Sequence, residues 1–233
     1  MIVAAVLRRF IVCLVAAGAV AAGSGAAIAA DGRLYPSGPP NGVAYLRFAN
    51  LTAQEATVVS PATKVVIPVD ADHRIREFDP VPPNVKLTGS VEFGGAAKPI
   101  DLTLKPNEFV TVAISGGADG LTLTIFREVP SDFNALKSSL GLFNLDKNCA
   151  AAELVAGDNH QEVVTGVAPG AIGRRTVNPV KVALAAACGD PAQTVPAKLD
   201  MLVAGDRYSI FVLASTSGRQ VVAQRDEQAP LRP

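Results

Sequence analysis

Tryptophan is absent, tyrosine occurs three times, and aromatic residues make up only 5% of the 233 positions. A sugar-binding face built from stacked rings would have little to draw on. Tyr35, beside Pro36, is the best exposed candidate, while Tyr45 and Tyr208 fall within strand-like runs. An excess of one charge sign is missing as well: 21 basic and 21 acidic side chains balance. Nothing in that balance calls for nucleic acid as a partner. Histidine occurs twice and cysteine three times, and neither histidine neighbours other ligand types at metal spacing. No G-x-S-x-G elbow, phosphate-binding glycine loop or H-E-x-x-H helix is present.

Two short polar runs invite a catalytic reading. Asp70-Ala71-Asp72-His73 has the D-x-x-H spacing of the acid and base in SGNH esterases. It comes in the first third of the chain, with no GDS-type nucleophile before it, and reads as a polar loop between strands. Asp158-Asn159-His160 sits in a glycine-flanked stretch and reads as a turn. No catalytic residue, cofactor or metal site is therefore nominated, and a binding or structural role is expected.

Long apolar runs are also lacking after the first thirty residues. Arg8 and Arg9 supply a positive start, residues 10–20 an apolar stretch, and Ala27-Ile28-Ala29 a small-x-small cleavage site. Residues 1–29 are thus expected to be a cleaved signal peptide, since about eleven apolar residues are too few to span a bilayer comfortably. Export places Cys149 and Cys188 in an oxidising compartment, where a structural disulfide is expected. A loop of that size would stabilise the fold by ~4 kcal/mol in the chain-entropy view.

What is abundant is glycine, 20 residues, and proline, 17, between short valine-rich runs. That pattern suggests strands broken by turns. It is also repeated. "AYLRFANLT" from residue 44 resembles "LGLFNLD" from 140, with Asn50 against Asn144. "NVKLTGSV" resembles "PVKVALAA", with Lys86 against Lys181. "LKPNEFVTVAI" resembles "LVAGDRYSIFVL", with Phe109 against Tyr208, and Arg127 then matches Arg225. The order and the spacing agree, which indicates a tandem duplication. The expected fold is all-β: two tandem immunoglobulin-like antiparallel β-sandwiches. Their expected bounds are residues 31–130 and 138–228, with a linker at 131–137 that could hold one helical turn and a tail at 229–233.

Two stretches carry a family resemblance. Leu34-Tyr35, Pro39-Pro40 and Gly42 lead into a strand with Arg47 and Asn50. Val167-Ala168-Pro169-Gly170 is followed by Val177-Asn178 and the run from Val180 through Lys181 to Leu184. In these the chain resembles the AlgF family of alginate O-acetylation proteins. The resemblance implies a periplasmic protein of two β-sandwiches with no catalytic residues of its own. It further implies a non-catalytic adaptor in the O-acetylation of an exported polysaccharide, acting with a membrane-bound O-acyltransferase and SGNH-type periplasmic proteins. The cysteine pair and the stretches at 60–75 and 186–198 depart from the family pattern. The polymer stays open among alginate, acetylated cellulose and another exopolysaccharide. The alternative reading is a periplasmic carbohydrate-binding module.

The candidate contacts to a partner or polymer are Arg174, Arg175, Lys181, Tyr35 and Arg47. Arg174 and Arg175 stand where the first copy has no basic residue, with Phe78-Asp79 or Pro82-Pro83 nearby instead. Arginine's planar fork suits carboxylates. Lys181 is expected on a solvent-facing strand over 177–184, matching Lys86.

Overall fold

A computed structural model describes residues 38–40, 42–61, 64–70, 73–117, 120–131, 133–189, 193–216 and 218–231. The expected signal peptide and Tyr35 lie outside the described residues. Sixteen strands and no helix are found among the residues described. The first half holds β1 (Ala44–Asn50), β2 (Ala56–Ser60), β3 (Val65–Val69), β4 (Asp79–Val81), β5 (Lys86–Phe93), β6 (Ala96–Thr103), β7 (Phe109–Gly117) and β8 (Gly120–Glu128). The second holds β9 (Ser138–Asn144), β10 (Ala152–Ala156), β11 (Gln161–Val167), β12 (Ile172–Val177), β13 (Leu184–Cys188), β14 (Val195–Ala197), β15 (Arg207–Ser215) and β16 (Gly218–Arg225).

The topology repeats strand for strand. Sheets ordered β4-β1-β7-β8 and β3-β2-β5-β6 form the first sandwich; β12-β9-β15-β16 and β11-β10-β13-β14 form the second. Pairing is antiparallel except for β1 with β7 and β9 with β15, which run parallel. Each sandwich encloses an apolar core, one around Phe48, Val91, Leu102 and Val112, the other around Leu142, Leu154, Leu184 and Ile210. Successive side chains of a strand point to opposite faces. In β1, Ala44 and Phe48 enter the core of the first sandwich, while Tyr45 and Ala49 belong to clusters on the opposite face.

That opposite face is covered by the other sandwich. Ala49, Ala113 and Phe126 cluster with Phe143 and Phe211 from the second copy. Phe143 stacks on Phe211 with ring centres 4.6 Å apart and meets Phe126 edge-on at 5.2 Å. The strands β1 and β9 are consequently buried on both faces. The sheets containing them are the inner sheets of a single body, and their shared boundary is called the seam below.

Two asparagines fix the equivalence of the copies. Asn50 donates through Nδ2 to the carbonyls of Gln54 and Val69, both at 2.7 Å, and accepts from the Thr52 N–H. Asn144 donates to the carbonyls of Cys149 and Val167, both at 2.8 Å, and accepts from the Asp146 N–H. Each ties the end of its inner strand to the end of an outer edge strand. With these residues aligned, strand register makes Phe109, beside Tyr45, the counterpart of Arg207, beside Ser139. The sequence pairing of Phe109 with Tyr208 is therefore one residue out, although the turns before β7 and β15 are alike: the Glu108 N–H donates to the Lys105 carbonyl as the Asp206 N–H does to that of Val203. Tyr208 points into the core of its own sandwich, and its hydroxyl donates to the Met201 carbonyl at 3.1 Å.

Two local expectations are also corrected. The 131–140 stretch contains no helix among its described residues: Ala135 and Leu136 form a turn and β9 begins at Ser138. The strand expected over 177–184 is split, since β12 ends at Val177 and β13 starts at Leu184. Between them the chain crosses from the inner to the outer sheet, and Pro179 lacks the N–H that a continuing ladder would use. The disulfide Cys149–Cys188 is formed, with Cα atoms 5.6 Å apart.

Candidate functional site

Buried charge is concentrated on the seam. Arg47 projects from the middle of β1, 1% exposed. Its Nη1 donates to Asp226 Oδ1 at 2.7 Å, its Nε to Thr111 Oγ1 at 3.0 Å and its Nη2 to Ser209 Oγ at 2.6 Å. The Phe78 ring lies 4.1 Å below the guanidinium. Two of these partners come from each copy, so one arginine ties both inner sheets together.

Arg174, on β12, is held by Glu128 at the end of β8 through two bonds, Nε to Oε1 at 2.6 Å and Nη2 to Oε2 at 3.1 Å. It lies across Gly141, where any Cβ would fall inside the guanidinium. Gly141 occupies the position of Arg47 in the second copy, three residues before the anchoring asparagine. Arg174 also comes within 4.0 Å of Asp226 Oδ2.

Arg207 opens β15 and is 8% exposed. Its nearest carboxylate oxygen is Glu128 Oε1 at 3.8 Å, which already accepts from Arg174. The rings of Phe109 and Phe133 lie 5.7 and 5.4 Å from its guanidinium carbon. Among the described residues, Arg207 Nε and Asp226 Oδ2 have no hydrogen-bond partner. Among the described residues three guanidiniums thus face two carboxylates, and one positive charge is left over.

The protonation equilibria follow from this crowding. Burial pulls the Arg207 guanidinium down to about 10, and the charge of Arg174 adds to the drop. Burial alone would lift Asp226, but the charges of Arg47 and Arg174 and hydrogen bonds from Ser209 and Arg47 hold it below its usual range. For Arg174, burial is outweighed by the charge and hydrogen bonds of Glu128 and by Asp226, so its affinity for the proton rises.

Two adjoining cavities open beside this cluster. One, of about 290 Å³, is lined by Glu128, Ser131, Ser139, Arg174, Thr176 and Arg207. The other, of about 210 Å³, is lined by residues that include Phe133, Lys137, Ser139, Thr176, Arg207 and Gln228. Ser139, Thr176 and Arg207 stand on both.

Of the five nominated contacts, Arg47 and Arg174 come together here, bridged by Asp226. Arg47 was expected to contact a partner or polymer from one face of its strand. The second sandwich covers that face and occupies its guanidinium, so Arg47 is not available to a partner. Arg175 is exposed and donates to the Val163 carbonyl at 3.2 Å. Lys181 is exposed in the 178–183 connection. Neither lines the two cavities, and Tyr35 lies outside the described residues. Arg207, Glu128 and Asp226 were missed. Each sits at the end of an inner strand, where a charge reads as ordinary solvation unless the second sheet is known.

The polar motifs set aside earlier behave as turns. The His73 N–H donates to Asp70 Oδ1 at 2.8 Å, and His73 is exposed. His160 adopts a left-handed φ of 50° in the turn after β10. No group of three His, Cys, Asp or Glu able to hold a metal occurs among the described residues. Among the described residues there is no helix long and apolar enough to cross a membrane.

A family model described as "Alginate O-acetyl transferase AlgF" matches residues 17–205. No curated protein matches the chain. Among solved structures, the C-terminal domain of AlgF from P. aeruginosa is 28% identical, with 39% of this chain and 98% of that one covered and a TM-score of 0.33. A candidate cell adhesion protein from Bacteroides uniformis is 8% identical over 81% of this chain and 98% of its own, with a TM-score of 0.27. Another from Bacteroides ovatus is 11% identical over 86% and 100%, with a TM-score of 0.26.

Proposed function

The chain belongs to the AlgF family of alginate O-acetylation proteins, and from that membership we propose that it is a non-catalytic periplasmic adaptor. In this reading it acts with a membrane-bound O-acyltransferase and SGNH-type periplasmic proteins. The observation that carries the reading is the family match across 17–205, which takes in most of both copies. The test is deletion of the gene. The exported polymer should lose its acetyl groups while its synthesis continues; unchanged acetylation would overturn the reading.

The shape of the first sandwich supports contact with a protein. Its edge strand β3 leaves Val65 and Val66 46% and 61% exposed. Beside it an open groove of about 580 Å³ is lined by Leu46, Phe48, Ile67 and the Pro80–Pro83 stretch, and Ala229, Pro230 and Leu231 reach its wall. That last segment is held in extended form by a bridge from Gln228 to Phe78 and an Ala229 N–H bond to the Phe78 carbonyl. An extended apolar segment is therefore what the groove accepts. The occupant in this reading is a strand from a partner protein, added to β3 as a fifth strand. The second copy lacks the feature. There β11 carries exposed Gln161, Glu162 and Thr165, and Gly173 of β12 packs tightly on Val164 and Val167.

A further inference from the structure

The duplication supplies an internal control for the cavities beside Arg207. Tyr45, Phe78, Pro80 and Phe109 occupy four positions of the first copy, and Ser139, Arg174, Thr176 and Arg207 occupy the same four in the second. In the first copy three of these side chains fill the space with rings: Tyr45 stacks on Phe109 at 4.7 Å, and Phe78 meets Phe109 edge-on at 5.0 Å. In the second copy the rings are replaced by two hydroxyls and two guanidiniums. The scaffold is the same, so the cavities are a consequence of these exchanges.

We infer that Ser139, Thr176, Arg174 and Arg207 form a binding pocket for a single carboxylate, carried by a small free acid or by a uronic-acid sugar. The charge points to an anion, because among the described residues the cluster holds one guanidinium more than its carboxylates neutralise. Arg207 is the one left over: Arg47 and Arg174 each hydrogen-bond a carboxylate, whereas Arg207 Nε has no partner among the described residues. A buried charge without a hydrogen-bonded partner is costly, and a bound carboxylate relieves that cost. A single negative charge matches the one guanidinium left over, because Glu128 and Asp226 already accept from the other two. Arginine's planar fork matches carboxylate geometry. The cavity of about 290 Å³ admits acetate or one sugar ring. This inference does not rest on the adaptor reading.

The test is isothermal titration of the full mature chain at low salt with sodium acetate, glucuronate, an oligouronate and neutral glucose. Saturable binding of acetate without the sugar acids identifies a free small acid; tighter binding of glucuronate or oligouronate identifies the sugar. Glucose should give no response. Arg207→Met should weaken binding by about 30-fold or more, the scale of losing one partner of a buried charge pair. Its melting temperature should stay level or rise, because the variant removes an underpaired buried charge. If that variant does not fold, Arg207→Lys keeps the charge without the fork and should still weaken binding. Absence of saturable binding to every carboxylate, or binding that survives both substitutions, overturns the proposal.

Discussion

Arg47 shows how one side chain can hold two domains. Its three hydrogen bonds reach Thr111 in its own sandwich and Ser209 and Asp226 in the other. Removing the arginine leaves the buried Asp226 carboxylate without its closest cation, the next being Arg174 at 4.0 Å. Arg47→Met is expected to destabilise the protein by ~3–5 kcal/mol, the range for breaking a buried pair, as read from urea unfolding. The double variant Arg47→Met, Asp226→Leu should recover much of that loss. The pH dependence has a definite sign. Asp226 is held below its usual value in the folded state, so its contribution is present above the unfolded value of about 3.9 and is lost as pH falls through the folded one. Below about pH 4, stability should therefore decline more gently in Asp226→Asn than in the wild type. An equal slope in the two proteins would mean that the carboxylate is not paired as described.

At the scale of the strand, alternation was legible where one face met the core, as in β1 with Ala44 and Phe48 inward. What stayed hidden was the fate of the other face. A lone sandwich has a wet side on which Arg47 could serve as a contact, and only the second inner sheet removes it. Arg207, Glu128 and Asp226 were missed for the same reason. Asn50 and Asn144 could be matched directly, since both stand at the same place in like strands. Phe109 and Tyr208 were matched by aromatic character, which overrode the register and hid Arg207. The edge strand β3 gives a prediction at this scale. Val66 is 61% exposed, so Val66→Lys should change stability by no more than ~0.5 kcal/mol. A lysine on an edge strand hinders strand addition. Cells carrying this variant should export a polymer with fewer acetyl groups, measured against wild-type protein levels. Full acetylation would remove β3 as the contact.

The disulfide acts on a larger piece of the second copy. Cys149 follows β9 and Cys188 ends β13, so the bond ties the inner sheet's exit to the outer sheet. The loop closed spans 39 positions. Replacing both cysteines by serine should lower stability by up to ~4 kcal/mol, with Cys149 buried against the core adding the loss of its packing. Denaturant unfolding of the oxidised, reduced and serine-substituted chains checks this. Equal midpoints in all three would show that the bond adds nothing to the folded state.

For the molecule as a whole, the duplication was readable because order and spacing survived where identity did not. The consequence of joining the copies face to face was not, because no local pattern reports which sheets meet. That union makes the seam a third apolar cluster, with Phe126 from one copy against Phe143 and Phe211 from the other. Its bonds and ring contacts lie between two bodies that each have a core of their own. The wild type is accordingly expected to unfold in one cooperative transition, since neither sandwich can open without exposing the other's inner face. Phe143 is fully buried, stacked on Phe211 and edge-on to Phe126. Phe143→Ala should remove ~3–5 kcal/mol. Most of that loss should fall on the coupling, because the aromatic contacts of Phe143 cross the seam or line it. Calorimetry should then resolve two transitions in place of one, with the disulfide-bearing half melting last. A single transition shifted to lower temperature would instead place the lost energy within the second sandwich and leave the seam a passive contact.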